Sequence, residues 1–275
     1  MMIFPKAFAI LPKLLALSFL GSLLLIPVSA QNRQTNVVLH KKNGEVQRKK
    51  TPNGPWRDIQ EKSSFLAEEK LLTGGKSKAE LWFRDKNTLL RQVSRSVSFY
   101  KLPCVIYLER GQLLKIMPKG GAIKCHCSQT GSSGGGARTC ARGTALIIRY
   151  KPEADRTEVL LLTNSQVTVS APSGSTRQLT RGGHRVVVEK GEISPVEEFD
   201  LELFYETTEL ALGLGPGVIH DQAIEAQTDS TVRGVVEAGR EETLQALRDQ
   251  KGRQRLSDAM EEDLLSGEEQ FGTTF

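Results

Sequence analysis

Four cysteines and one histidine of this sequence have side chains that could form a covalent cross-link or hold a metal ion. Cys125, His126 and Cys127 are adjacent, Cys140 follows them and Cys104 precedes them. An even number of cysteines in an exported chain favours disulfide bonds. A bridge between Cys125 and Cys127 would close a very small, strained ring. We therefore predict that Cys140 pairs with one of these two cysteines and Cys104 with the other.

The same residues allow a metal site as the alternative. Cys125, His126 and Cys127, together with Cys140 or Cys104, offer soft ligands for zinc or copper. The single residue between Cys125 and Cys127 is a shorter spacing than zinc ligands usually have, and oxidation to disulfides competes outside the cytoplasm. We therefore prefer the disulfides and predict no bound metal and no other cofactor.

A tight turn is predicted at Arg142, Gly143 and Thr144, directly before a β-branched run. Gly143 permits a backbone geometry closed to other residues, and Thr144 favours a strand. Arg142 can bond carbonyls or a carboxylate at the corner. The functional alternative is that Arg142 binds an anionic ligand directly. We prefer the structural interpretation, because glycine often marks bends in strands.

Catalytic motifs are scarce in this chain. The segment Gly74-Gly75-Lys76-Ser77 is similar to the end of a phosphate-binding loop, but that motif requires a glycine where Lys70 stands. We interpret the segment as a β-turn. The serine-hydrolase and zinc-protease motifs are missing, and the four histidines are scattered. We predict that the protein is not an enzyme.

Residues 1–30 predict export. Lys6 and Lys13 precede an apolar run from Leu14 to Val28, and small residues lead up to Ala30. This order is typical of a secretory signal peptide that is cut after Ala30. The alternative is an uncleaved anchor, because the run is only slightly shorter than the roughly 18 apolar residues of a spanning helix. We expect a periplasmic or extracellular protein that contacts the membrane through this segment only if the segment is retained.

Charge divides the remaining chain into two parts. Residues 31–200 hold 29 lysines and arginines against 16 acids, a net charge of +13, whereas residues 201–275 hold 6 against 16, a net charge of −10. The two parts could associate, or the basic part could contact an anionic surface such as a membrane or a wall polymer. The simpler interpretation is two ordinary solvated surfaces, and we predict no nucleic-acid partner.

Short apolar runs separated by turn signals predict an all-β fold for residues 31–200. Most are four to seven residues long, the usual length of a strand. The runs are residues 44–48, 78–83, 88–91, 104–109, 112–117, 145–150, 157–162, 166–170 and 184–189. Residues 120–140, rich in glycine, serine and cysteine, are predicted to form a mobile loop.

Residues 201–275, which we call the tail, show leucines and valines at roughly helical intervals. We predict an acidic tail that is helical in part. The last ten residues, 266–275, are predicted to be disordered.

An ordered series of short motifs between Val37 and Pro195 resembles the FecR domain. The motifs are Leu72-Thr73-Gly74-Gly75, Ala79-Glu80-Leu81, Phe83, Asp85, Leu108-Glu109-Arg110-Gly111, Ala141-Arg142-Gly143-Thr144, residues 159–169 and residues 179–182. The resemblance implies a twisted β structure, solenoid-like or sandwich-like, outside the cytoplasm. In that family the domain takes part in iron-responsive transmembrane signalling, and a cytoplasmic anti-sigma segment precedes a membrane helix.

This sequence departs from the family in two respects. Only a few residues precede the apolar N-terminal run, so we do not carry over the anti-sigma activity, and residues 123–141 form an insertion that contains cysteines. We predict an exported, non-catalytic recognition or signalling module that binds a protein or glycan of the cell envelope. The alternative is a scaffolding protein held by charge on an anionic polymer or membrane surface.

Overall fold

The computed structural model describes residues 36–101, 105–127 and 136–269, with side chains throughout except at 118–127, 142 and 261–269. The predicted signal peptide therefore lies outside the described residues. The first seven described strands are β1 (Val37–Asn43), β2 (Val46–Lys49), β3 (Arg57–Asp58), β4 (Lys70–Thr73), β5 (Lys78–Phe83), β6 (Thr88–Lys101) and β7 (Val105–Cys127). The others are β8 (Arg138–Lys151), β9 (Arg156–Leu161), β10 (Val167–Ser170), β11 (Thr176–Leu179), β12 (His184–Glu189), β13 (Glu192–Ile193) and β14 (Glu197–Glu198). The helices are α1 (Leu201–Thr207), α2 (Val218–Glu225) and α3 (Ser230–Glu269).

All of these strands belong to one antiparallel sheet. The main order is β13-β12-β9-β8-β7-β6-β4-β2-β3, with β5 and β1 branching from β6, β10 and β11 from β8, and β14 from β12. The predicted β class with a helical C-terminal tail is confirmed. The sheet is open, however, so the solenoid-like or sandwich-like arrangement is not confirmed.

The longest hairpin, β7 with β8, occupies most of the segment predicted to be a loop. Residues 120–127 and 138–140 are strand, and Cys125 pairs with Thr139. The loop prediction was wrong there, because backbone hydrogen bonds alone extend the ladder and β10 pairs with the other side of β8. The glycine-rich centre, residues 128–135, lies outside the described residues.

Alternating side chains give the sheet two buried faces. On β8, Leu146 and Ile148 point to one face, and Ala145 and Ile147 point to the other. The first face borders the inner core, to which strands far apart in the sheet order contribute. The inner core includes Leu39, Phe65, Leu71, Leu81, Leu108, Leu146, Val159, Val167, Leu179 and Val186.

The second face is covered by the tail and forms the helix-side core. Sheet residues such as Trp82, Leu114 and Ile147 pack there against the tail. The tail residues are Leu201, Phe204, Tyr205, Leu210, Ala211, Leu214, Ile224, Val232, Val235, Val236, Ala246 and Leu247. The described residues of the sheet and of the tail consequently belong to one compact unit. The tail docks chiefly through apolar contacts, and its acidic composition plays a smaller part than the charge pattern suggested.

A side-chain cap marks the beginning of α1, and the helix α3 runs further than the sequence predicts. Asp200 caps α1, since its carboxylate accepts hydrogen bonds from the N–H groups of Glu202 and Leu203 at 2.8 and 3.1 Å. The helix α3 continues to Glu269, so residues 266–269 are helical although we predicted disorder, and residues 270–275 lie outside the described part. No helix in the described ranges is both long enough and apolar enough to cross a membrane.

Candidate functional site

A cleft of about 380 Å³ lies where β2, β4, β6 and β7 run side by side, and no tail residue lines it. We call it the aromatic cleft. Its lining residues are Lys49, Trp56, Lys70, Val97, Glu109, Arg110 and Pro152. Val97 is buried, while Trp56 and Pro152 are partly exposed. The cleft therefore has apolar surface beside charged groups, as ligand-binding clefts commonly do.

An aromatic pair lies beside this cleft. Phe99 of β6 and Tyr107 of β7 are directly opposite in the ladder, and their rings stack 4.7 Å apart with an angle of 4° between their planes. Lys101 lies 5.9 Å from the Phe99 ring centre and 5.4 Å from that of Tyr107. Lys70 lies 5.7 Å from the Phe99 ring. Cross-strand aromatic pairs and cation–π contacts hold these side chains in place.

Cations outnumber carboxylates along the cleft. Lys49, Lys70 and Arg110 line it, against Glu109 alone. The Lys70 ammonium lies 2.6 Å from a Glu109 carboxylate oxygen, and the Lys49 ammonium lies 5.9 Å from the Trp56 ring centre. The cleft thus combines an indole with a surplus of positive charge. This arrangement suits an apolar group next to a carboxylate.

The lining residues do not form an acid–base or nucleophilic pair. They include no serine, threonine, cysteine or histidine, and the one carboxylate among them, Glu109, is bound to Lys70. Chemistry at a substrate bond needs a nucleophile or a base within hydrogen-bonding reach of another group. What the lining offers instead is aromatic, apolar and charged contact surface.

Two almost fully buried charged groups of the sheet, Arg91 and Glu80, belong to a different site, where the tail docks. Arg91 donates from Nε to Glu80 at 2.9 Å, and from Nη1 to the carbonyls of Leu210 and Leu212 at 2.9 and 2.6 Å. Gln227 Nε2 donates to the second Glu80 oxygen at 3.2 Å. Burial by itself raises the pKa of Glu80, but Arg91 and Lys78 outweigh it and lower that pKa to about 2. These partners satisfy the two charges, so we assign them a structural role.

His220, one of the four histidines of the sequence, also has a structural role. Its Nδ1 accepts hydrogen bonds from the N–H groups of Gly213 and Gly215 at 3.1 and 3.0 Å. Burial, followed by the charge of Arg240, lowers the pKa of His220. The imidazole is therefore neutral near pH 7 and closes the turn before α2.

Cys140 is a free, exposed cysteine in the structure. It lies opposite Lys124 on β7 and opposite Thr168 on β10, so neither cross-strand neighbour is a cysteine. Cys104 lies outside the described residues, and the side chains of Cys125 and Cys127 are not described. The predicted disulfides remain a prediction. Among the described side chains, no group of three metal-binding residues occurs, and most of the Cys125, His126, Cys127 and Cys140 alternative falls outside them.

The predicted turn at Arg142, Gly143 and Thr144 is a bend inside β8. Gly143 has φ +51°, in the left-handed region. The pairing with β7 is irregular at this point, because four residues of β7 lie between the partners of Thr144 and Arg142. Thr144 is fully buried, with its hydroxyl 2.7 Å from that of Thr163. The side chain of Arg142 lies outside the described part.

Sequence reasoning missed the aromatic cleft. None of Trp56, Phe99 and Tyr107 is among the candidate site residues that the sequence indicates. The sequence does contain a signal for it, because lysines and aromatic residues lie close together on strands that follow one another in the chain. The strand register alone places these residues together.

Comparison with protein-family models and with curated proteins gives no match. Two crystal structures, at 1.65 and 2.50 Å resolution, are similar in part, and both are described as a "putative anti-sigma factor" from Parabacteroides distasonis. Each is 14% identical with a TM-score of 0.39, and the match covers 48% of this chain and 61% of the other. The resemblance to the FecR domain therefore rests on the sequence motifs.

Proposed function

We propose that this protein is an exported, non-catalytic recognition module of the cell envelope that binds a partner through the aromatic cleft. The observation that carries the proposal is the combination of Trp56 with Lys49, Lys70 and Arg110 around one concave surface. Export is supported by residues 1–30, and a recognition or signalling role by the resemblance to the FecR domain.

A protein partner fits the cleft better than a glycan. Tryptophan, tyrosine and arginine are the residues that most often dominate binding energy at protein interfaces. The surplus of positive charge favours an acidic segment, whereas a neutral sugar would leave Lys49 and Arg110 without counter-charges. We therefore propose an acidic protein segment with an apolar side chain that packs against Trp56.

Affinity capture from the envelope of the source organism provides the test. Captured proteins are identified, and a synthetic peptide from the most acidic segment of each is titrated against the purified protein. We expect Trp56→Ala and Arg110→Ala each to weaken peptide binding by about tenfold or more, since hot-spot residues contribute about 2 kcal/mol or more. Leu66→Ala, which alters an apolar side chain that is 46% exposed, is the matched control.

Three results would contradict the proposal in whole or in part. Equal loss of binding in the Leu66→Ala control would show that the cleft has no special role. Binding of an anionic wall polymer or of anionic vesicles, weakened by salt but unchanged by Trp56→Ala, would favour the scaffolding alternative. Capture of an acidic glycan that Trp56→Ala abolishes would replace the protein partner with a carbohydrate.

A further inference from the structure

A second cleft, of about 460 Å³, opens where the tail meets the sheet. We call it the lysine cleft. Lys76 and Lys78 line it from the turn and strand that follow β4, and Arg149 lines it from β8. The tail contributes the segment from Thr207 to Leu212, except Ala211, to the opposite side. No residue of the lysine cleft belongs to the aromatic cleft.

The lysine cleft holds three cations and one lining carboxylate, Glu209. Two further carboxylates lie near these cations, and each is shared with a second cation. Glu80, which is 3.6 Å from Lys78, accepts a hydrogen bond from Arg91 at 2.9 Å, and Glu158, which accepts one from Arg149 at 3.0 Å, also lies 3.8 Å from Arg185. The positive charge is thus only partly neutralised.

The lowered pKa of Lys78 also indicates that the positive charge of the cleft is incompletely neutralised. Burial and the nearby charge of Arg91 lower the pKa of Lys78 to about 8, although Glu80 acts in the opposite direction, and Lys41 lowers it further. An ammonium group in such surroundings is stabilised when an anion arrives. The other polar groups that line the cleft include the hydroxyls of Ser94 and Thr208 and the amides of Asn43 and Gln112. The hydroxyls of Ser77 and Thr207 also line it but already donate to the carbonyls of Gly75 and Leu203.

Strained backbone conformations at the rim of the lysine cleft are a second feature, which does not depend on its charge. Lys76 and Ser94 have φ values of 54° and 34°, and Arg95 next to them has 54°. These left-handed conformations are costly for residues with side chains, and they concentrate at binding sites. Ser94 is held there by a hydrogen bond from its N–H to the Ser77 carbonyl at 2.9 Å. The fold thus keeps two lining residues in strained positions on one side of the cleft.

We propose that the lysine cleft binds a small oxyanion, the carboxylate or phosphate group of a small molecule, through Lys76, Lys78 and Arg149. This site is separate from the aromatic cleft. Because Arg91 bonds the carbonyls of Leu210 and Leu212, which also line the cleft, an anion held there contacts both the sheet and the docked tail. Binding therefore stabilises the docked state of the tail.

Calorimetric titration of the full chain with inorganic phosphate and with succinate, at low ionic strength and pH 7, tests the proposal. We expect saturable binding of at least one of the two anions. Lys78→Met should weaken it by about tenfold or more, since hydrogen bonds to charged groups are among the strong ones. Glu209→Gln should strengthen it, because it removes the one lining carboxylate. Lys50→Met, an exposed lysine outside the cleft, makes the same charge change as Lys78→Met and should have little effect.

The outcomes separate the proposal from its rivals. Absence of saturable binding for both anions, or an equal loss in Lys50→Met and Lys78→Met, overturns it. Glu209→Gln keeps all three cations, so it provides the test if Lys78→Met folds poorly; unchanged affinity in Glu209→Gln also counts against the site. A preference for phosphate or for succinate identifies which anionic group the natural ligand carries. If peptide binding at the aromatic cleft fails, the anion-binding result at the lysine cleft still stands, because the two clefts share no lining residue.

Discussion

Arg91 lies almost fully buried beneath the tail, so its charge must be matched by partners. Glu80 supplies the counter-charge, and the carbonyls of Leu210 and Leu212 supply acceptors from the tail. Removing one partner of a buried pair leaves the other charge without compensation, which is more damaging than losing the whole pair. The pair therefore links the folding of the sheet to the position of the tail.

Arg91→Met should lower the free energy of unfolding by about 3–5 kcal/mol, because it leaves Glu80 buried without its main counter-charge. The double variant Arg91→Met with Glu80→Leu should lose less than the sum of the two single variants. Urea denaturation measures both. Arg156→Met is the control: its ion pair with Glu189 has both side chains 44% exposed, so a change of about 0–1 kcal/mol is expected. Strictly additive losses in the buried pair would contradict the argument.

His220 should make stability depend on pH. Burial lowers its pKa in the folded protein below the ordinary value of 6.5, so the unfolded chain takes up a proton first as the pH falls. Stability due to His220 is therefore present above about pH 6.5 and decreases below it, until the pH reaches the lowered pKa of the folded state. His184, whose pKa is also lowered chiefly by burial, acts in the same direction.

His220→Asn and His220→Leu separate the two roles of this side chain. The asparagine oxygen can accept the Gly213 and Gly215 hydrogen bonds but does not titrate, so we expect near-native stability with a smaller decrease between pH 7 and 5. Leucine leaves two buried N–H groups without an acceptor and should cost about 1–3 kcal/mol near pH 7. The cost should be smaller at pH 5, where the native protein has itself lost the stability due to His220. Thermal unfolding across this range measures both. An unchanged pH dependence in His220→Asn would assign the effect to His184.

At the scale of elements, the close approach of α3 to β7 decides how the tail packs. A side chain at Gly239 would place its Cβ 2.7 Å from Cγ2 of Ile116, so only glycine allows the observed distance. Gly234, in the same helix, has no atom within 4 Å of an added Cβ. Both glycines lie in α3, but only Gly239 is packed against the sheet.

Gly239→Ala should therefore destabilise the protein by about 1–3 kcal/mol, because the added methyl group forces the helix away from the sheet. Gly234→Ala should stabilise it by about 0.5–1 kcal/mol, since alanine favours the helix and meets open space. Chemical denaturation of the two variants gives both values. The same sign of change in both variants would mean that α3 does not rest on Ile116 in solution.

At the scale of the whole molecule, the tail is part of the core. Gln250 of α3 accepts a hydrogen bond from the Leu201 N–H at 3.0 Å and donates one to the Phe199 carbonyl at 2.7 Å, which ties the far helix to the end of the sheet region. Together with the helix-side core, this contact means that residues 36–200 alone expose a large apolar face. Exposed apolar patches of that kind promote association.

A chain that lacks residues 201–275 should aggregate or bind the dye ANS strongly, because the helix-side face of the sheet becomes exposed. A chain that lacks only residues 257–275 is the control. It keeps Leu247 and Gln250, and Leu256 at its new end is already 68% exposed, so it should remain monomeric with a melting temperature close to that of the full chain. Size-exclusion chromatography and ANS fluorescence give the comparison. A soluble monomer of residues 36–200 would show that the tail is dispensable.

The sequence by itself determined the β class, the approximate positions of eight of the fourteen described strands and the helical nature of the tail, because alternation and helical spacing are local properties of the chain. It also marked Gly143 as a bend, since glycine at a positive φ is a local requirement. It failed at residues 120–127, where the hairpin is extended by pairing with strands that composition does not reveal.

Only the tertiary structure decided which distant residues meet. Trp56 and Arg110 line one cleft because β2, β4, β6 and β7 are neighbours in the sheet, and Lys78 and Arg149 line another because the tail docks beside them. Arg91 and Glu80 likewise gain their partners Leu210 and Gln227 only when the tail is in place. Strand order and docking follow from long-range packing, to which each short segment contributes only a part. Many of the elements could therefore be predicted from the sequence, whereas both clefts required the fold.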